Sequence, residues 1–189
     1  MQKNALYENC PVYDTQRFRL RLVTEEDAED LLACYSDLEA SRFFNSDNCI
    51  CDFRFDTLSD RQGCIRQWLY EYGEGHYARF AIVDKLTARA VGTLEIFARE
   101  DRPGSAERVG ILRLDLLSAF ERKEEIADIL TTAMAIFYPL LGFGHLLTKA
   151  IPEAEERRQA LNELGFVPIP DSIPMPYPHY FIRPSTLPA

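Results

Sequence analysis

The sequence has 189 residues, of which 47% are hydrophobic and 27% are charged. A chain of this size and composition can bury one hydrophobic core, so we expect a single soluble globular domain. Thirty acidic and twenty-one basic residues give a net charge of -9, which disfavours nucleic acid and anionic membranes as partners. Because no apolar run reaches membrane-spanning length and the N-terminus does not look like a signal peptide, we expect a cytoplasmic protein that makes no membrane contact.

Five cysteines lie in the N-terminal third of the chain, at Cys10, Cys34, Cys49, Cys51 and Cys64. A structural zinc site needs four ligands, usually in closely spaced pairs, and the three histidines lie at no such spacing from the cysteines or from one another. We therefore expect reduced thiols and no metal site.

Strands and helices are predicted to alternate along the first two thirds of the chain. FRLRLV (18–23) alternates apolar and basic residues like a half-buried strand, and Thr24 with Asp27 has the spacing that caps a following helix. A second helix is predicted at 58–72 from its apolar spacing. Three strands should follow, HYARFAIVD, AVGTLEIFA and RVGILRLDLL, because turn-forming residues separate them.

The last third is predicted to hold two more helices and two more strands. Ser118 and Glu121 have the spacing of a helix capping box, and an apolar face follows until GFG (142–144) ends the helix. HLLTKAI is a predicted strand, Pro152 and Gly165 bound the next helix, and HYFIR is the last strand. This order predicts an α/β layer with helices on both faces.

The order of elements and two stretches, FRLRLVTEEDAEDLLACYSD and HLLTKAIPEAEERRQALNELGFV, resemble the GCN5-related N-acetyltransferase (GNAT) superfamily. Within it they resemble the branch that acetylates the N-termini of ribosomal proteins and related amines. The resemblance extends from about Phe18 to Arg183. It implies a central mixed, mostly antiparallel sheet with one splayed parallel strand pair, in a single domain over 17–189 preceded by an N-terminal extension over 1–16.

The resemblance also implies an enzyme that transfers an acetyl group from acetyl-coenzyme A to a primary amine, on a small molecule or a protein N-terminus. Two parallel strands, RVGILRLDLL and HLLTKAI, would splay to hold the pantetheine arm. The main chain of the first strand would bind its amides, which points to Ile111, Leu112, Leu114 and Leu116. A homodimer is left open.

The stretch where relatives bind the diphosphate departs from the family pattern. Relatives carry Arg or Gln, two residues, Gly, one residue, and Gly or Ala, whereas this chain has Glu121 to Ile126, or Arg122 to Ala127 one register later. Neither register contains a glycine, and a carboxylate beside a diphosphate costs on the order of 1 kcal/mol. Arg122 and Lys123 are the remaining candidates for phosphate binding. A catalytically silent relative that binds another ligand or a protein partner is therefore the alternative to an enzyme.

Further departures follow downstream. Ala154 and Arg157 replace an Asn and a Ser that the branch usually carries, and Leu161 stands where many relatives place a proton-donating tyrosine. Tyr177 and Tyr180 could line the cleft or simply pack.

Two carboxylates are candidates for the base that removes a proton from the amine. Glu95 lies among apolar residues in GTLEIF, and Asp115 lies in RLDLL on the strand that should border the acyl group. Burial would raise either pKa toward neutrality. Two structural interpretations stay open: Asp115 could pair with Arg113, and Glu95 could point to solvent.

Overall fold

The computed structural model describes residues 5–47, 49, 57–99, 108–170 and 175–185. These residues form one eight-stranded sheet and six α-helices. The strands are β1 Tyr13–Asp14, β2 Phe18–Leu22, β3 Ala78–Asp84, β4 Arg89–Arg99, β5 Arg108–Leu116, β6 Phe143–Lys149, β7 Val167–Pro168 and β8 Tyr180–Pro184. The helices are α1 Ala5–Glu8, α2 Ala28–Ser36, α3 Leu38–Ser41, α4 Leu58–Glu74, α5 Lys123–Leu141 and α6 Glu155–Glu163.

The sheet is mixed and mostly antiparallel, which confirms the predicted fold class. Its strand order is β1-β2-β3-β4-β5-β6-β8-β7, and β5 with β6 is the parallel pair. Parallel neighbours need a crossover connection, and α5 supplies it between these two strands.

The parallel pair separates toward its C-terminal end. Pairing between β5 and β6 runs to Leu112 opposite Thr148. β5 continues to Leu116, and there it stays paired with β4 through Gly92. Residues 113–116 of β5 therefore keep a strand neighbour on one side only, and the predicted splay is confirmed.

Helices cover both faces of the sheet. On one face α5 and α6 pack over apolar residues of the central strands, among them Leu94 and Leu112. On the other face α2 and α4 pack over Ala81 and Val83 of β3. Within the described residues, no helix is both long and apolar enough to cross a membrane.

The helix ends show which capping predictions were right. The backbone N–H of Thr24 donates to the Asp27 carboxylate at 2.8 Å, as predicted. Gly142 and Gly165 adopt positive φ angles of 63° and 79°, which a glycine tolerates best, where α5 and α6 end.

The predicted capping box at Ser118 and Glu121 was wrong. Ser118–Phe120 forms a single 3₁₀ turn, Arg122 is the N-cap of α5, and Glu121 lies outside the helix. The Glu121 carboxylate instead accepts hydrogen bonds from Arg157, which lies on α6. The helix predicted from Pro152 also begins later, at Glu155.

Candidate active site

A network of buried polar side chains lies on the sheet face covered by α2 and α4. Arg79 pairs with Glu95, and Arg113 Nη1 lies 3.1 Å from the second oxygen of the same carboxylate. Arg79 Nη1 also lies 3.5 Å from Asp115 Oδ2. The Tyr35 hydroxyl, carried by α2, donates to that Asp115 oxygen at 2.7 Å. Four charges thus neutralise one another inside the protein.

Strand register explains why these side chains meet. Arg79 on β3 is the direct partner of Glu95 on β4, and Glu95 is the direct partner of Arg113 on β5. Direct cross-strand partners project to the same face of a sheet, with β-carbons about 5 Å apart. Because residues two apart on a strand share a face, Asp115 joins the same row.

The two structural interpretations left open by the sequence are both wrong. Glu95 is 2% exposed, so it does not point to solvent. Arg113 pairs with Glu95 rather than with Asp115. Asp115 is held by Arg79 and Tyr35 instead.

Asp115 lies in an environment that makes its carboxylate a stronger base than an ordinary aspartate. It is 2% exposed, and burial raises its pKa above the ordinary value, while Arg79 and the Tyr35 hydroxyl oppose part of that rise. Burial and the nearby Asp115 also raise the pKa of Tyr35, which therefore remains a neutral donor. Asp115 Oδ1 has no hydrogen-bond partner among the described residues. Oδ2 is therefore held by Tyr35 and Arg79, while Oδ1 makes no hydrogen bond within the described structure.

Arg79 and Tyr35 were not among the site residues predicted from the sequence. Arg79 is a charge inside the otherwise apolar strand HYARFAIVD, and a cation in such a strand indicates a buried acidic partner. The guanidinium also lies 4.2 Å from the ring centroid of Trp68. Tyr35 lies among the buried residues of α2, and no local signal in the sequence distinguishes it.

Of the residues predicted to hold the pantetheine arm, Leu114 and Leu116 lie on the unpaired end of β5, whereas Ile111 and Leu112 lie where β5 still pairs with β6. The Leu114 carbonyl faces away from β4, since Arg157 donates to it at 2.9 Å. Main-chain groups alternate in direction along an antiparallel pair, so those of Leu112 and Leu116 face the same side as Leu114. The main-chain groups of Ile111 face β4, and its side chain packs with Leu147 and Tyr180 on the sheet face that α2 and α4 cover.

The two predicted phosphate ligands lie at the start of α5, and α6 contacts the second of them, Lys123. Arg122 is exposed at the N-cap. The Lys123 ammonium lies 2.9 Å from Glu163. The Lys123 backbone N–H donates to the Glu156 carboxylate at 2.8 Å. The chain's own carboxylates thus bind this helix end.

The family model for the acetyltransferase (GNAT) domain matches residues 17–167, most of the chain. The chain belongs to the GNAT acetyltransferase family. The family predicted from the sequence is therefore confirmed.

Known relatives agree with this assignment. The uncharacterized N-acetyltransferase YoaA of Bacillus subtilis is 21% identical over 156 residues, which cover 82% of each chain. RimJ of Mycobacterium smegmatis, solved in complex with CoA-disulfide, has a TM-score of 0.72 at 13% identity over 92% of this chain and 87% of that one. The ribosomal-protein-S5-alanine acetyltransferase of Vibrio fischeri has a TM-score of 0.65 at 14% identity, over 93% and 97% of the two chains. At these identities the solved structures show a shared fold.

Family membership assigns the GNAT protein to the acyltransferases, which move an acetyl group to an amine, and the predicted enzyme class is confirmed at that level. Acetyl-coenzyme A is the donor this family uses. Nothing in the comparisons favours the alternative of a catalytically silent relative.

Proposed function

We propose that this GNAT enzyme binds acetyl-coenzyme A along the open edge of β5 and transfers the acetyl group to a primary amine, with Asp115 as the base. The proposal rests on two features that lie together on β5. β5 loses β6 as a neighbour after Leu112, and a buried carboxyl of raised pKa, Asp115, lies on that same unpaired stretch.

The open edge supports binding of an arm that carries amides. An unpaired strand edge presents main-chain N–H and C=O groups, which can pair with the amides of pantetheine as they would with another strand. Leu114 and Leu116 present these groups on the open side, whereas those of Leu112 still pair with β6. Arg122 and Lys123, at the start of α5, would then lie toward the diphosphate, where their positive charge is favourable.

Asp115 is the better placed of the two predicted bases. Both oxygens of Glu95 are engaged by arginines, Oε2 by Arg79 and Oε1 by Arg113. Asp115 keeps Oδ1 without a hydrogen bond within the described structure, and its raised pKa makes it a stronger base toward an ammonium than an ordinary aspartate. The neutral amine would then attack the thioester carbonyl, and the C–S bond would break to release the coenzyme A thiolate. We assign Glu95 to holding Arg79 and Arg113 in place.

The acceptor would lie beside Ile111, on the sheet face that α2 and α4 cover. There Ile111, Leu147 and Tyr180 form an apolar cluster, and Phe97 and Tyr177 pack against it. Burial raises the pKa of Tyr180 to about 12, so its hydroxyl stays neutral. An apolar wall of this kind suits the carbon chain that carries a primary amine.

We propose a small-molecule amine or a protein N-terminus as the acceptor. A protein N-terminus is supported by the ribosomal-protein acetyltransferases among the structural neighbours. A cytoplasmic location is part of the proposal, supported by Cys10, Cys34 and Cys49, which form no disulfide among the described residues.

The test is release of the coenzyme A thiol from acetyl-coenzyme A, measured with a panel of primary amines and short peptides that have a free N-terminus. Asp115→Asn should lower kcat/KM for the best acceptor by about 10²- to 10⁴-fold, the usual contribution of a general base. Glu29→Gln removes an exposed carboxylate from α2 and should leave the rate unchanged. A native rate in Asp115→Asn would reject Asp115 as the base.

A further inference from the structure

The guanidinium of Arg157 lies where the proposed donor arm would have to bind. It donates to the main-chain carbonyl of Leu114 at 2.9 Å and to that of Phe43 at 3.1 Å. Its Nε and Nη2 each lie 2.7 Å from an oxygen of Glu121, so the ion pair is bidentate. The Arg157 side chain is 3% exposed and that of Glu121 7%. One side chain of α6 therefore ties together the open edge of β5, the segment after α3 and the turn before α5.

The neighbouring residue on α6 strengthens this closure. Glu156 accepts the Lys123 backbone N–H at 2.8 Å, at the first residue of α5. The positive end of a helix attracts anions, and here a carboxylate of the same chain takes that position. Arg157 and Glu156 together give α6 contacts to both β5 and α5.

A donor amide and Arg157 cannot occupy the same place beside Leu114. A pantetheine N–H would need to approach the Leu114 carbonyl from the open side of β5, which is the side filled by the guanidinium. The bidentate contact to Glu121 fixes the guanidinium in that position, because a planar fork matched to a carboxylate loses both hydrogen bonds when it turns.

We propose that Arg157 is a specificity-determining residue of the donor site, which competes with the acyl donor for the Leu114 carbonyl and is held in place by Glu121. This inference rests on the proposed donor site along β5. The acyl donor then binds only the fraction of molecules in which the Arg157–Glu121 pair is open, so its apparent affinity is reduced by that fraction.

The decisive variant changes both partners, because removing Arg157 alone would leave Glu121 buried without its cation and endanger folding. Glu121→Gln/Arg157→Ser removes the pair and frees the carbonyl. Arg158→Ser is the matched control, since Arg158 is the adjacent α6 arginine, is exposed, and donates to the Pro152 carbonyl at a long 3.4 Å. Urea unfolding of each protein first establishes that it is folded under the conditions of the titration.

Acetyl-coenzyme A and acetyl-pantetheine are then titrated into each protein by calorimetry. The double variant should bind both at least about tenfold more tightly than the native chain, as expected when a closed state that holds nine tenths of the molecules is removed. Arg158→Ser should bind like the native chain. Glu121→Gln alone should give a smaller gain of the same sign.

Three results would overturn the inference. Equal affinity of the native chain and the folded double variant would mean that Arg157 does not compete with the donor. Weaker binding by the double variant would make Arg157 a ligand of the donor. A gain seen with acetyl-coenzyme A but not with acetyl-pantetheine would place the effect at the diphosphate rather than at Leu114.

The outcome is distinguishable from failure of the proposed function. If the native chain releases thiol with an amine and the double variant binds no more tightly, the donor site stands and the competition fails. If only the double variant binds, the competition stands and the native chain lacks donor binding under those conditions. If neither folded protein binds acetyl-coenzyme A, both ideas are rejected.

Discussion

Replacing Arg79 by methionine should destabilise the fold strongly, because Arg79 is the cation shared by Glu95 and Asp115. Methionine keeps much of the volume but none of the charge. Two opposite unit charges 3.5 Å apart, the distance from Arg79 Nη1 to Asp115 Oδ2, attract by about 5 kcal/mol at an effective dielectric constant of about 20. Arg113 still neutralises Glu95 in the variant, so the loss falls mainly on Asp115.

Protonation sets an upper bound on that loss. If Asp115 takes a proton, the cost at pH 7 relative to an ordinary aspartate is roughly 4 kcal/mol, about 1.4 kcal/mol for each of about three pH units. We therefore expect Arg79→Met to lower the free energy of unfolding by about 3–4 kcal/mol at pH 7. The loss should shrink to roughly 1–2 kcal/mol at pH 5, where protonation costs less.

Urea unfolding followed by circular dichroism at pH 7 and pH 5 measures both values. Arg66→Met is the control, because Arg66 forms an exposed ion pair with Glu25 and its loss should cost less than about 1 kcal/mol. A loss below about 1 kcal/mol for Arg79→Met at pH 7 would refute the reasoning. So would an equal loss at both pH values, since protonation then plays no part.

Three further predictions concern the surroundings of Asp115. A Cβ at Gly92 would overlap the Asp115 backbone oxygen, so Gly92→Ala should lower the free energy of unfolding in urea by about 3 kcal/mol or more. Gly63→Ala within α4 should instead raise it by about 0.5–1 kcal/mol. Equal effects of the two changes would contradict the packing argument. Burial raises the pKa of Asp115 in the folded state. The stability of the native chain relative to Asp115→Asn should therefore be highest below about pH 4 and should fall as the pH rises through the folded pKa. A stability difference that grows with pH in urea unfolding would contradict this prediction. Tyr35→Phe removes the hydrogen bond to Asp115, so the free energy of unfolding in urea should fall by about 1–3 kcal/mol. The pH–rate profile of thiol release should also move to higher pH. An unchanged profile would mean that Tyr35 does not act on the base.

The long elements could be predicted because their patterns are local. Alternation and helical spacing depend on neighbours within a few residues, and the strand at 18–23 and the helix at 58–72 appear as Phe18–Leu22 and Leu58–Glu74. The two-residue strands β1 and β7 were missed, since two residues show no period.

The capping box at Glu121 failed for a nonlocal reason. Glu121 has the right spacing from Ser118, but its carboxylate is drawn to Arg157, 36 residues away in sequence. Since a bidentate contact to a buried guanidinium is stronger than a contact to one backbone N–H, the N-cap of the helix is Arg122 rather than Ser118.

The candidate site was only partly predictable. The apolar neighbours of Glu95 and Asp115 correctly indicated burial, because charged residues in such strands face inward only when they are paired. The partners could not be chosen from sequence, since they depend on the register that places Arg79 opposite Glu95. The role of Arg157 depends on the angle at which α6 meets β5, which no local pattern encodes.

We propose that acetyl-coenzyme A binds along the open edge of β5. The most direct measurement is a calorimetric titration of acetyl-coenzyme A into the native chain at low and at moderate salt, with desulfo-coenzyme A as the control for the thioester end. We expect saturable binding that weakens as salt screens Arg122 and Lys123. No heat and no thermal shift with about millimolar ligand would contradict binding at this edge. A Kd of about 1 mM corresponds to a binding free energy of only about 4 kcal/mol.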